Sequence, residues 1–159
     1  MDERVQNFEW LSVAEVAAIL EQSACSCNAL RDRFLLSLMY ESGARVAEIL
    51  SLKESDISAD VCIFGKGSKP RFTPLSEEIW SQYCRYREQY HSDLKFEELL
   101  FYSVRNNTRY RISRGNVARI LNECEGLVRE TMPHLHCHLF SRTCAMHMLE
   151  VGVPMPTIS

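Results

Sequence analysis

Three places in this 159-residue chain hold side chains that could do chemistry. The first is Gly43-Ala44-Arg45, with Glu48 three residues on. A glycine break followed by an arginine in the first turn of a helix puts a planar, permanently charged fork beside free backbone N–H groups, which suits a phosphate. Glu48 is placed to orient that guanidinium; the plainer alternative is a surface Arg–Glu helix pair. The second place is the glycine-bounded turn GKGSKPR, with Lys66, Lys69 and Arg71. It lacks the GxxxxGK[ST] spacing of a nucleotide-binding loop. A hairpin lysine can still enter a DNA groove or donate a proton to a leaving oxygen. The third is the cluster His134, His136, Cys137 and His138. Cys25 and Cys27 could join it in a zinc-binding interaction domain, but structural zinc sites space their ligands C-x(2–4)-C and H-x(3–5)-H. Here adjacent side chains diverge, so zinc is not expected. Cys62, Cys84, Cys124 and Cys144 fall on apolar faces and are expected to be small core residues.

Net charge is −3, which taken alone argues against a nucleic-acid partner. The distribution argues for one. Residues 1–60 hold eleven acids and five bases, whereas Ser103 to Leu121 contains Arg105, Arg109, Arg111, Arg114 and Arg119 and no acid. Local basic patches, rather than overall pI, neutralise phosphates. A hydrophobic share of 46% and a charged share of 25% fit an ordinary globular domain. No apolar run is long enough for a membrane helix, and the charged N-terminus is not a signal peptide, so a cytoplasmic protein with reduced thiols is expected.

The elements that must position these residues read as mostly α with one small antiparallel sheet. Helices are predicted over 10–21, where Ser12 and Glu15 form a capping-box pattern, and over 28–40, 44–52, 77–90, 115–128 and 139–151. Strands are predicted over 61–64 and 71–75.

Taken in order, LLSLMYESGARVAEILSLKESDI, IFGKGSKPRFTPL and HCHLFSRTCAMHMLEVGVPMPTIS resemble the catalytic domain of the tyrosine recombinases, the phage-integrase and Xer-like family. The resemblance spans residues 10–159, with 1–9 a linker remnant or N-terminal tail. It implies a mainly α, DNA breaking-rejoining fold and site-specific recombination or integration in a phage or other mobile element. It also implies double-stranded DNA as partner and self-association on DNA in the full-length protein. Strands are cut through a 3′-phosphotyrosine without metal or nucleotide. By position, Arg45 matches the first catalytic arginine and Glu48 the acid that often follows it. Lys66 matches the general acid, and His138 opens the H-x-x-R motif. Lys69, Arg71 and the five arginines of 103–121 are expected to contact DNA.

Two departures bear on activity. The family reads H-x-L-R-[HR]-T-x-A, whereas this chain reads His138-Leu139-Phe140-Ser141-Arg142-Thr143-Cys144-Ala145. Serine stands where the second catalytic arginine is expected. Arg142 lies about 100° further round the helix and is at best a supporting charge. Loss of one such donor typically costs about 2–4 kcal/mol of transition-state stabilisation. None of the six tyrosines matches the nucleophile's position. The expectation is therefore a C-terminally incomplete catalytic domain that binds DNA without cleaving it. The alternative is a non-catalytic DNA-binding or regulatory module.

Overall fold

Helix α2, Ala29–Ser42, is buried nearly all round, from Phe34, Leu35 and Leu36 through Leu38 and Met39. A helix that buries its apolar run from Phe34 to Met39 on more than one side sits at the centre, and α1 (Val13–Ser23), α4 (Glu77–Tyr90) and α6 (Cys137–Glu150) pack around it. In this computed structural model the described residues are 10–23, 28–58, 60–63, 70–90, 99–106, 108–128, 135 and 137–151. Lys66, Lys69, Cys25, Cys27, His134 and His136 lie outside them, as do the side chains of Arg71 and Arg105.

The centre is aromatic on one side. Phe34 sits 5.8, 5.7 and 5.4 Å from the rings of Tyr83, Tyr86 and Phe101. Each such contact adds about 1 kcal/mol to the burial itself. On the other side α6 contributes Leu139, Phe140, Thr143, Cys144 and His147, a buried stripe at helical spacing.

Helix α2 ends at Gly43, whose φ of 69° is left-handed and whose N–H bonds the Met39 carbonyl at 3.0 Å. A side chain there would be strained by about 1–2 kcal/mol. That turn lets α3, Val46–Leu50, begin three residues later with Arg45 as its N-cap.

Among the described residues, two antiparallel hairpins complete the fold rather than one. Strands β1 (Asp60–Ile63) and β2 (Arg71–Pro74) pair as expected. Strands β3 (Tyr102–Arg105) and β4 (Thr108–Arg111) form a second hairpin that the predicted elements did not include. Helix α5 runs over Arg114–Asn122 and gives way to a 3-10 turn at Glu125–Leu127, shorter than the helix predicted to residue 128. Helix α1 starts at Val13, because Ser12 and Glu15 cap each other's backbone N–H at 2.8 and 3.1 Å and set the start there.

Candidate phosphate and nucleic-acid site

Arg45 is exposed and sits in extended backbone as the N-cap of α3. The Glu48 carboxylate accepts the Arg45 backbone N–H at 2.8 Å. This bond caps the helix and fixes where Arg45 leaves the backbone. An arginine cannot accept in return, so the N-terminal amides of α3 are not sealed by a side-chain acceptor on Arg45.

Helix α6 comes to this place from the other end of the chain. Ser141 Oγ donates to the Ala44 carbonyl at 3.3 Å, across a separation of 97 residues. Position 141 therefore faces the residue just before Arg45. Arg142, the next residue, is exposed, as its rotation round the helix predicts. His138 lies in the first turn of α6 and is exposed. Cys137 beside it is 4% exposed, and burial pushes its thiol up while the Arg114 charge pulls it down. Cys137 is thus buried while its neighbour His138 is exposed; His134 and His136 lie outside the described residues. Among the described residues no group of three or more His, Cys, Asp and Glu could hold a metal ion.

The register of α6 is held by buried polar contacts. Thr143 Oγ1 accepts the Leu11 N–H at 2.9 Å. The His147 ring spans the Leu11 carbonyl at 2.8 Å and the Tyr40 hydroxyl at 2.6 Å. Since the carbonyl can only accept, Nε2 carries the proton, and Nδ1 receives the Tyr40 O–H. Cys144 Sγ donates to the Tyr40 carbonyl. Desolvation pushes the Tyr40 hydroxyl above its usual range, which makes it a poor nucleophile. The hydroxyls of Tyr83 and Tyr86 are likewise committed, to Glu54 and the Leu100 carbonyl.

The arginines predicted to meet DNA divide by location. Arg109, Arg111, Arg114 and Arg119 are all exposed. Arg109 stacks 4.8 Å above the Tyr102 ring. Arg111 reaches Ser51 Oγ at 2.8 Å and so ties β4 to the residue that ends α3. Arg119 is paired with Glu123 at 3.0 Å, one helical turn away. Arg114 opens α5 behind the N-cap Ser113, whose hydroxyl accepts the Asn116 N–H at 3.1 Å. A cavity of about 310 Å³ opens at the far end of α6, between Val13, Tyr40, Glu41, His147 and Glu150. Its charged lining is acidic, which excludes it as a phosphate site.

The cysteine expectation held for two of four. Cys124 and Cys144 are buried, while Cys84 is exposed and Cys62 half-buried. Cys84 lies on the outer face of α4, and Cys62 on a two-stranded sheet too small to cover both sides.

The Phage integrase family profile matches residues 9–159, nearly the whole chain. The chain belongs to that family. It is 34% identical over 134 residues to the tyrosine recombinase XerC of Staphylococcus saprophyticus, covering 81% of this chain and 44% of that protein. It is 28% identical over 158 residues to the tyrosine recombinase XerD of Chlorobaculum tepidum, covering 93% and 51%. The chain thus spans about half the length of the curated relatives it matches. Its fold is that of XerA recombinase, with a TM-score of 0.76 at 24% identity over 94% of this chain and 52% of that one. The XerH site-specific recombinase bound to its difH substrate is similar too, at a TM-score of 0.70 and 21% identity over 95% of this chain and 45% of that one. Among the described residues no helix is long and apolar enough to cross a membrane.

Proposed function

We propose that this chain binds duplex DNA, holds a strand phosphate at the head of α3 with Arg45, and is a poor catalyst of strand cleavage as written. The observation that supports the reading is the Ser141–Ala44 contact, which brings the H-x-x-S block of α6 beside the residue that precedes Arg45. The family's chemistry divides the charge of a pentacovalent phosphate between two guanidiniums. Here Arg45 supplies one, and a hydroxyl that already donates to a carbonyl stands in the other's place. His138 is the proposed phosphate hydrogen-bond donor, and Lys66 the proposed general acid at the leaving 5′-oxygen. Arg142 adds charge from outside the site. Arg71, Lys69 and the arginines of 103–121 supply the contacts to the flanking backbone.

The protein is read as a recombinase-type module acting on double-stranded DNA, with no metal or nucleotide in its chemistry. Self-association on DNA and a cytoplasmic location belong to the same reading. Ser141 also favours a second reading, a module kept for DNA binding or regulation alone.

Titration of a labelled duplex over a salt series tests the first claim. Neutralising several phosphates makes log K fall steeply with log salt, by about 0.9 per contact. Arg45→Ala is expected to lower that slope by about 1. A flat salt response in the wild-type chain would remove DNA binding from the reading.

A further inference from the structure

Arg31 is 6% exposed, on α2, and belongs to no part of the site described above. Its Nε and Nη2 both meet Asp32 Oδ1 at 2.9 Å. Its Nη1 donates to the Tyr102 carbonyl and to Ser103 Oγ, each at 3.3 Å. Asp32 is itself 3% exposed. A buried ion pair of this kind is weak evidence for stability, since apolar residues of the same volume often do as well or better. What a guanidinium adds is direction: one planar group binds a carboxylate, a main-chain carbonyl and a hydroxyl together.

The element it binds needs that direction. Strand β4 is exposed at every residue, and a lone two-stranded hairpin is marginal in water. Burial holds the base of the hairpin, through Phe101, Tyr102 and Ile112, while β4 has no buried residue of its own to orient it. The register pairs Tyr102 with Arg111 and Val104 with Arg109, so Tyr102, Arg109 and Arg111 share one face. On that face Arg109 rests on the ring of Tyr102, the residue whose carbonyl Arg31 holds. Arg111 fastens the same strand pair to Ser51.

We propose that Arg31 is the positioning residue of the β3–β4 hairpin: from inside the domain it fixes β3, the strand paired with the one that carries Arg109, so that the hairpin's arginines are ordered before DNA arrives. The DNA half of this rests on the function proposed above; the positioning half does not.

The test uses the full chain with Arg31→Met and Asp32→Asn together, which removes both charges and leaves no buried carboxylate unpaired. Amide hydrogen exchange is read first, without DNA. Exchange across residues 102–111 is expected to quicken at least tenfold while the amides of α2 and α4 keep their wild-type rates. The second arm is a cycle with Arg109→Ala. In the wild-type background that change is expected to lower the salt slope of duplex binding by about 1, and in the Arg31→Met/Asp32→Asn background by less than half as much. Equal losses in both backgrounds, or an unchanged exchange rate in the hairpin, overturn the proposal. Should the double variant fail to fold, Arg31→Lys keeps the charge but cannot reach all three partners at once, and the same two outcomes are read from it. A wild-type chain that binds no duplex defeats the DNA reading instead, and the exchange arm alone then decides for or against Arg31.

Discussion

Replacing Ser141 by arginine should tighten DNA binding, and the size of the gain follows from where the residue sits. Ser141 Oγ lies 3.3 Å from the Ala44 carbonyl, next to Arg45 in the chain, and the side chain is half-buried. On the function proposed above, a guanidinium there reaches the phosphate that Arg45 would hold. At about 4 Å and an effective dielectric of about 20, that attraction is about 4 kcal/mol. Ordering a long side chain takes back about 2 kcal/mol. Repulsion between two neighbouring guanidiniums takes back about 1 kcal/mol more at the same dielectric, once ions screen it. About 1 kcal/mol remains, roughly fivefold in affinity. The salt slope should steepen by about 0.9 if one more phosphate contact is made. Fluorescence anisotropy with a labelled duplex at four salt concentrations measures both quantities. Ser141→Met supplies length without charge and should leave the slope alone. If Ser141→Arg changes neither affinity nor slope, then position 141 does not face the phosphate held by Arg45, and the proposed geometry is wrong.

Three further outcomes follow from the buried polar groups. Thr143→Val keeps the shape but leaves the Leu11 N–H without its acceptor; unfolding by urea should show a loss of about 1–3 kcal/mol with an unchanged m-value, and no loss would mean that water replaces the threonine. Burial pushes the Tyr83 hydroxyl and the Cys144 thiol up to about 12. The folded state favours both protonated forms, so their contribution is complete below the unfolded pKa values near 9 and 10 and is lost as pH rises toward 12; the urea midpoint should therefore fall between pH 8 and pH 11, and a constant midpoint contradicts this. At pH 8 an alkylating reagent followed by mass mapping should label exposed Cys84 well before Cys124, Cys137 and Cys144, whose thiols burial pushes up; labelling of Cys144 at the rate of Cys84 would refute the packing of α6 on α2.

The long helices were legible because their apolar spacing is local. The buried positions of α5, Val117, Ile120 and Leu121, repeat at three and four residues. The β3–β4 hairpin was not legible for the opposite reason. Tyr102-Ser103-Val104-Arg105 and Arg109-Tyr110-Arg111-Ile112 do alternate apolar and polar residues, but the runs are short and rich in arginine, and the exposed Val104 and Tyr110 belong to no core face. The available signal was Asn106-Asn107. Asparagine tolerates the left-handed backbone a tight turn needs, and Asn106 has a φ of 52°. Of the candidate site, Arg45 and its place at a helix start could be read directly. The backbone cap made by Glu48 could not, since a carboxylate three residues from an arginine serves a backbone N–H as readily as a guanidinium.

By itself the amino-acid sequence determined the family, through the order of its motif blocks, and with it the presence of a serine where an arginine is expected. Those are matters of identity and spacing along the chain. The tertiary structure alone decided that Ser141 bonds the Ala44 carbonyl, and that Arg31 grips β3 from 71 residues away. Closing such long separations costs chain entropy that only the packing of the whole core repays. No local pattern records which of the many possible distant pairs that packing will bring within reach.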